Sequence, residues 1–514
     1  MVPDSRGVKS GSRIVTAKVL APAMRAFLRQ LVYLAVYGTI GVLLTLAVGI
    51  GIHFANGPAL MPWHVAPLAA EFRAADASNF KSLDDYRALE AKLMAQLDAE
   101  VYAKVPQDQR RAINRYFAGS LADARERTPN WNLTFEKPAS QPKGAVLLLH
   151  GLTDSPYSMR ALAEIFATRG WYVVALRLPG HGTAPAALTR VTWQDWAAAT
   201  RLAAKHLRAK TGPEVPLVIA GYSTGAALAV EYALATLQGE PLPRVSGVVL
   251  LSPAIGVSPV AAVAAWPARI ARWTRWEKLA WTETPPEFDP YKYNGFTANA
   301  ADQIYQLTRR LREQIAALGK PGGVTGLSPV LAFQSVADST VSTAAVIDAL
   351  FSKLAPNGHA VVAFDINRDP ELEPLLNPAA RTVTRNLLTG PPLPFDLTVL
   401  GNAGGAQGGE RDAILVARHR AAGGTMVDIR PTGMTWPRDT YSLSHIALPI
   451  RADDPVYGAT PPTHWDFMFL GRVQLVGERG ILAVPAGDFA RLRYNPFFPY
   501  LESRLNEFLS ARER

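Results

Sequence analysis

The stretch PLVIAGYSTGAALAVEYALATL, residues 216–237, decides how this chain is read. Pro216–Ala220 is a short apolar run with the look of a buried strand, and the Ala-rich run after Gly225 predicts a helix. Between them stands Gly221-Tyr222-Ser223-Thr224-Gly225, a G-x-S-x-G pattern. A sharp strand-to-helix turn at this point forces the serine into a strained conformation and lifts its Oγ clear of the sheet. It also sets Ser223 at the N-terminal end of a helix, whose dipole favours developing negative charge. Gly221 and Gly225 are needed there because side chains would collide with neighbouring backbone. The bland alternative is a Gly/Ser turn that merely connects two elements. The surrounding sequence argues against it.

Working outward, short β-rich runs alternate with amphipathic ones from Gly144 onward: AVLLLH, SPYSMRALAEIFATRG, WYVVALRL, TWQDWAAATRLAAKHL, PLVIAG, GAALAVEYALATL and GVVLLSP. Such alternation predicts a mostly parallel sheet covered by helices on both faces. Sheets of this kind bind ligands at the carboxyl ends of their strands. After the first strand comes His150-Gly151-Leu152-Thr153-Asp154-Ser155-Pro156, in which Ser155 and Pro156 resemble an N-cap and first helical residue. A backbone N–H from this loop, that of Leu152, can pair with the N–H of Thr224 to hold an oxyanion. His150 stands too early in the chain for a catalytic base, so a structural role supporting the loop is expected.

HGLTDSP, RLPGHGTAP (Arg177–Pro185), TWQDW (Thr192–Trp196) and GYSTG together resemble the α/β-hydrolase superfamily. Within it they are most similar to the monoacylglycerol-lipase and carboxylesterase branch. The likeness is strong over Gly144–Pro253 and moderate over Ser328–Ala355. It implies the α/β-hydrolase fold with a helical cap, an acid after a late strand and a histidine after the last. The strand SPVLAFQSV ends at Ala337-Asp338, so Asp338 is the expected acid, with Asp365 and Asp396 in reserve; its bland reading is a helix N-cap. The chain order serine, acid, histidine leaves His359, His419, His445 and His464. His445 is preferred because it sits in a polar turn, YSLSHIALP, and His464 is the runner-up. The wide gap between Asp338 and His445 departs from compact relatives and marks residues 368–437 as an insertion.

The wider composition sets limits. The chain has 514 residues and no cysteine, which removes disulfides, thiolate metal sites and cysteine nucleophiles. Its 39 glycines and 40 prolines follow no fixed period, so collagen-like and solenoid readings fail. The net charge of +10 could suggest a nucleic-acid partner, yet Arg6, Lys9, Arg13, Lys18, Arg25 and Arg29 face Asp4 alone within the first thirty residues. Half of the excess therefore precedes the uncharged apolar run Leu31–Ile52, which at about 1.5 Å per residue spans a hydrocarbon layer of roughly 30 Å. An uncut anchor is expected, N-terminus cytoplasmic and catalytic body outside. The Ala/Arg/Pro-rich composition points to a bacterium, where outside means the periplasm.

The organisation expected is therefore a basic tail (1–30), a transmembrane anchor (31–53), a helical region (54–140) and a hydrolase domain (141–514) with its cap over 254–327. That cap holds Trp266, Trp273, Trp276 and Trp281 with Arg269, Arg272 and Arg275, either a face for an anionic lipid surface or simple packing. The resemblance implies a serine hydrolase of carboxylic, lipid or acyl esters working through Ser223, His445 and Asp338. No metal, organic cofactor or nucleic acid is expected. An acyltransferase with the same triad and a non-catalytic hydrolase-like scaffold are the competing readings.

Overall fold

The computed structural model describes residues 13–256, 276–338, 340–368, 373–404, 414–437, 441–463, 468–471, 473–474 and 491–513. The chain divides into two compact units, Met1–Ala59 and Leu60–Arg514. In the first, one helix, α1, runs Arg13–Ala55 and so carries several of the basic residues on the same helix as the apolar run. Its segment Met24–Leu46 is long and apolar enough to cross a membrane and is not buried by the protein.

The second unit is built on a ten-stranded sheet. In chain order its strands are β1 (Phe135–Lys137), β2 (Ala145–Leu149), β3 (Tyr172–Leu176), β4 (Leu217–Tyr222), β5 (Gly247–Leu251), β6 (Val330–Ser335), β7 (Ala360–Phe364), β8 (Asp396–Asn402), β9 (Ile414–Arg420) and β10 (Asp428–Thr435). They lie side by side in the order β1-β3-β2-β4-β5-β6-β7-β8-β9-β10. From β3 to β8 every neighbouring pair is parallel; β1 at one edge and β9 and β10 at the other are antiparallel. The residues expected as an insertion thus continue the sheet, with helix Pro378–Thr389 and three further strands added to its edge.

Successive side chains of the central strands enter opposite layers, which is why AVLLL and VVLL can be apolar throughout. Leu147 and Leu149 pack with Trp196, Ala203, Leu228 and Leu307, from the helices Trp193–Thr211, Thr224–Leu237 and Ala298–Leu318. Val146 and Leu148 pack with Leu162, Phe166, Leu501 and Leu505, from the helices Arg160–Thr168 and Phe498–Ser510.

The expected helical region 54–140 holds one long helix, α2 (Leu83–Glu100), capped by Ser82 and Asp85. From Val101 to Asn132 the chain runs through short turns before entering β1. Leu83 and Tyr86 of α2 join the main core.

Candidate active site

Strand β4 ends at Tyr222 and the next helix starts at Thr224, leaving Ser223 alone to make the turn. It does so at φ 54°, ψ −112°, a left-handed conformation that side chains tolerate only under constraint. The constraint is visible. Ser223 N–H donates to the Leu251 carbonyl at 2.9 Å, and its own carbonyl accepts from the N–H groups of Ala226, Ala227 and Ala254, each at 3.1 Å. A Cβ on Gly221 would collide with backbone at Gly225, and one on Gly225 with the Leu149 carbonyl, so neither position accepts a side chain. Ser223 Oγ makes no hydrogen bond to any described residue.

Asp338 follows β6. Its Oδ1 accepts from the N–H groups of Thr340 and Val341 at 2.9 and 2.8 Å. Its Oδ2 accepts from Gln334 Nε2 at 3.2 Å and meets His445 Nδ1 at 2.7 Å. His445 opens a single helical turn, His445–Ala447. The preceding loop is held by Ser335 Oγ on the Leu443 carbonyl and by Ser444 Oγ on the Leu492 carbonyl. The imidazole lies 5.4 Å from the ring of Tyr222, the residue before Ser223. Asp338 and His445 are both buried.

The other candidates lie elsewhere. Asp365 pairs with Arg368 and Thr384, and Asp396 accepts from the N–H of Ala422. His359 accepts from Val330 N–H at a strand end, and His419 bonds Thr398. His464, Trp266, Trp273, Arg269, Arg272 and Arg275 fall outside the described residues; Trp281 is buried and Trp276 is exposed.

Leu152 lies in the loop after β2, and Thr224 opens its helix. Neither N–H donates to another described residue. Gly151 is confined, since a Cβ there would press on Asp154 and the Tyr222 ring. His150 props this loop: it is fully buried, its Nε2 accepts from Leu178 N–H at 3.0 Å, and its Nδ1 meets the Gly151 carbonyl at 2.9 Å. Burial and the nearby His181 push its pKa well below the usual histidine value, so the ring stays neutral.

A cavity of about 230 Å³ adjoins these residues, bounded by Tyr222, Ile446, Tyr157, Tyr291 and Lys292. Lys292 reaches Asp154 of the HGLTDSP loop at 2.9 Å. Sequence reasoning passes over Gln334, Lys292 and Tyr293, as well as Glu71 and Glu90, which ion-pair with Arg177 of RLPGHG at 3.0 Å each. Only the long amphipathic pattern around Glu90 is visible in the sequence. Nothing local tells which buried cation a carboxylate will meet.

Residues 140–365 match the family described as serine aminopeptidase, S33. A thermostable monoacylglycerol lipase from Bacillus sp. strain H-257 is 34% identical over 117 residues, 23% of this chain and 43% of that protein. Phospholipase YtpA of Bacillus subtilis strain 168 is 27% identical over 120 residues, again 23% of this chain and 44% of that protein. The chain thus spans less than half the length of these curated relatives. Among solved structures, a Paleococcus ferrophilus monoacylglycerol lipase is 20% identical, covering 49% of this chain and 98% of that one, with a TM-score of 0.34. The parallel sheet and the serine elbow after β4 give this chain the α/β-hydrolase fold, and the matched segment is similar to the monoacylglycerol-lipase and esterase branch of that superfamily.

Proposed function

We propose that the chain is a membrane-anchored serine hydrolase of carboxylic esters, including lipid esters, working through Ser223, His445 and Asp338. The observation that carries this reading is the 2.7 Å hydrogen bond from His445 Nδ1 to Asp338, with the imidazole 5.4 Å from the ring of Tyr222, the residue before the strained Ser223. With Nδ1 engaged, Nε2 is the nitrogen left to take the Ser223 proton as Oγ attacks the ester carbonyl. Asp338 orients the ring and stabilises its cation. The N–H groups of Leu152 and Thr224 receive the oxyanion, each contributing about 3 kcal/mol. The alkoxide leaves with the proton from His445. Water, deprotonated by the same imidazole, then releases the acid and restores Ser223.

The relatives named as a monoacylglycerol lipase and a phospholipase support a lipid ester as substrate. Anchoring rests on α1, and the basic residues ahead of its apolar run favour a cytoplasmic N-terminus with the catalytic unit on the far side. The test is hydrolysis of p-nitrophenyl esters from acetate to palmitate, and of a monoacylglycerol, by the wild type beside Ser223→Ala. Hydrolysis that disappears in the variant supports the reading; a folded wild type inactive on all of them overturns it.

A further inference from the structure

Arg177 is wholly buried at the end of β3, where an unpaired guanidinium would be untenable. Both of its carboxylate partners come from outside the segment that matches the family. Glu71, in the extended chain before α2, accepts from Arg177 Nη1 and Nη2 at 3.1 and 3.0 Å, and from Gly180 N–H at 2.8 Å. Glu90, on α2, accepts from Arg177 Nε at 3.0 Å and from Thr134 Oγ1 at 2.7 Å. Tyr86, also on α2, donates to the Arg177 carbonyl at 2.8 Å. Burial alone would raise the Glu71 pKa; the charge of Arg177 and the N–H groups of Gly180 and Phe72 outweigh it and hold Glu71 below the usual range. At Glu90 burial prevails and the value is raised.

From this cluster two lines of hydrogen bonds lead to the two sides of Leu152. On one side the N–H of Leu178, next to Arg177, donates to His150 Nε2, and His150 Nδ1 binds the Gly151 carbonyl. On the other, Gly180, gripped by Glu71, accepts from Tyr293 Oη at 3.1 Å, and Tyr293 N–H donates to the Thr153 carbonyl at 2.8 Å. Thr153 has φ 74°, a conformation that relaxes unless the loop is held.

We infer that Glu71 and Glu90 are positioning residues: by fixing Arg177 and the loop behind it, they set where the Leu152 N–H points and so complete the oxyanion site from outside the hydrolase segment. The inference rests on the oxyanion assignment made above. A buried guanidinium that loses one carboxylate must rearrange, and a displacement of about 1 Å at a donor can cost on the order of a hundredfold in rate.

The test uses the full chain in detergent. Wild type, Ser223→Ala, Glu71→Gln and Glu90→Gln are titrated with a fluorophosphonate to count competent serines, and ester hydrolysis is expressed per titrated site. Each Glu variant is expected to lose about tenfold or more in kcat with KM within about twofold, and to bind a trifluoromethyl ketone more weakly by the same factor. Unchanged kcat per site, with the damage confined to melting temperature or yield, overturns the inference. If Glu71→Gln gives no titratable protein, Glu90→Gln decides by the same readout, and failure of both makes the cluster a folding element only, which also overturns it. A wild type that the fluorophosphonate does not label at Ser223 fails the hydrolase reading itself, a result distinct from the others.

Discussion

His445 Nδ1 and Asp338 Oδ2 meet at 2.7 Å across 107 positions of sequence. The span is accommodated because most of the intervening chain adds strands β7 to β10 to one side of the sheet, and the loop carrying His445 then returns to the end of β6. Asp338→Asn tests the pair. Its Oδ1 can still accept from Thr340 and Val341, but its amide would donate toward His445 Nδ1 and drive the proton to Nε2, leaving no base for Ser223. The expected outcome is a fall in kcat of about 10⁴-fold with little change in KM or melting temperature. Steady-state kinetics at neutral pH check it, and a loss below tenfold would remove Asp338 from the triad.

Gly225→Ala addresses the elbow through sterics alone. Its Cβ would run into the Leu149 carbonyl, which is backbone at the end of strand β2 and cannot step aside. The variant should lose about 3 kcal/mol or more. Ala226→Gly, one residue along the same helix, should lose only about 1 kcal/mol. Urea denaturation of the two side by side gives the comparison; equal losses would mean that the turn can open.

What the sequence makes legible follows from range. The parallel sheet is readable because runs such as AVLLL and LVIAG are buried on both faces and admit no polar residue, a local signature. Ser223 is readable because the strand, the two glycines and the helix that make its turn are contiguous in sequence. The pairing of Asp338 with His445 needs more than one signal: the superfamily's chain order leaves four histidines, and the polar turn YSLSHIALP then separates His445 from His359, which stands just before β7 and accepts from Val330 N–H. Least legible is the region before Phe135. Expected only as a helical region, it buries Glu71 and Glu90 against a cation roughly ninety to a hundred residues further on, and ion pairing at that distance leaves no periodicity to read.

The anchoring proposal makes a simple prediction. Because Leu60–Arg514 is compact by itself and the long apolar helix lies in Met1–Ala59, removing residues 1–59 should move the protein from the membrane fraction to the soluble one with ester hydrolysis per titrated serine unchanged. Fractionation followed by fluorophosphonate labelling reads both. A truncated protein that stays with membranes would show that a surface of the second unit also binds lipid.

The stability of the catalytic unit should carry an unusual pH dependence from Glu287. This carboxylate closes the 287–295 turn, accepting from the N–H groups of Gly295 and Asn294 at 2.6 and 3.1 Å. Burial raises its pKa to about 7 from an ordinary 4.5, against the opposing pull of Arg115 and those two N–H groups. A carboxyl with a raised folded-state pKa binds its proton more tightly when folded. Its contribution is therefore fully present below about pH 4.5 and is lost as the pH climbs to about 7, a change on the order of 3 kcal/mol. Buried histidines act in the opposite sense: His64 and His181, lowered to about 4 chiefly by burial, withdraw stability as the pH falls from 6.5 toward 4. The two effects overlap in a wild-type profile, so the informative quantity is the melting temperature of Glu287→Gln minus that of the wild type. Glutamine offers one acceptor oxygen where Glu287 uses both of its oxygens, which adds a constant offset without a slope. The difference should rise between pH 4.5 and 7 and flatten above, whereas a difference independent of pH would mean that Glu287 does not titrate in this range.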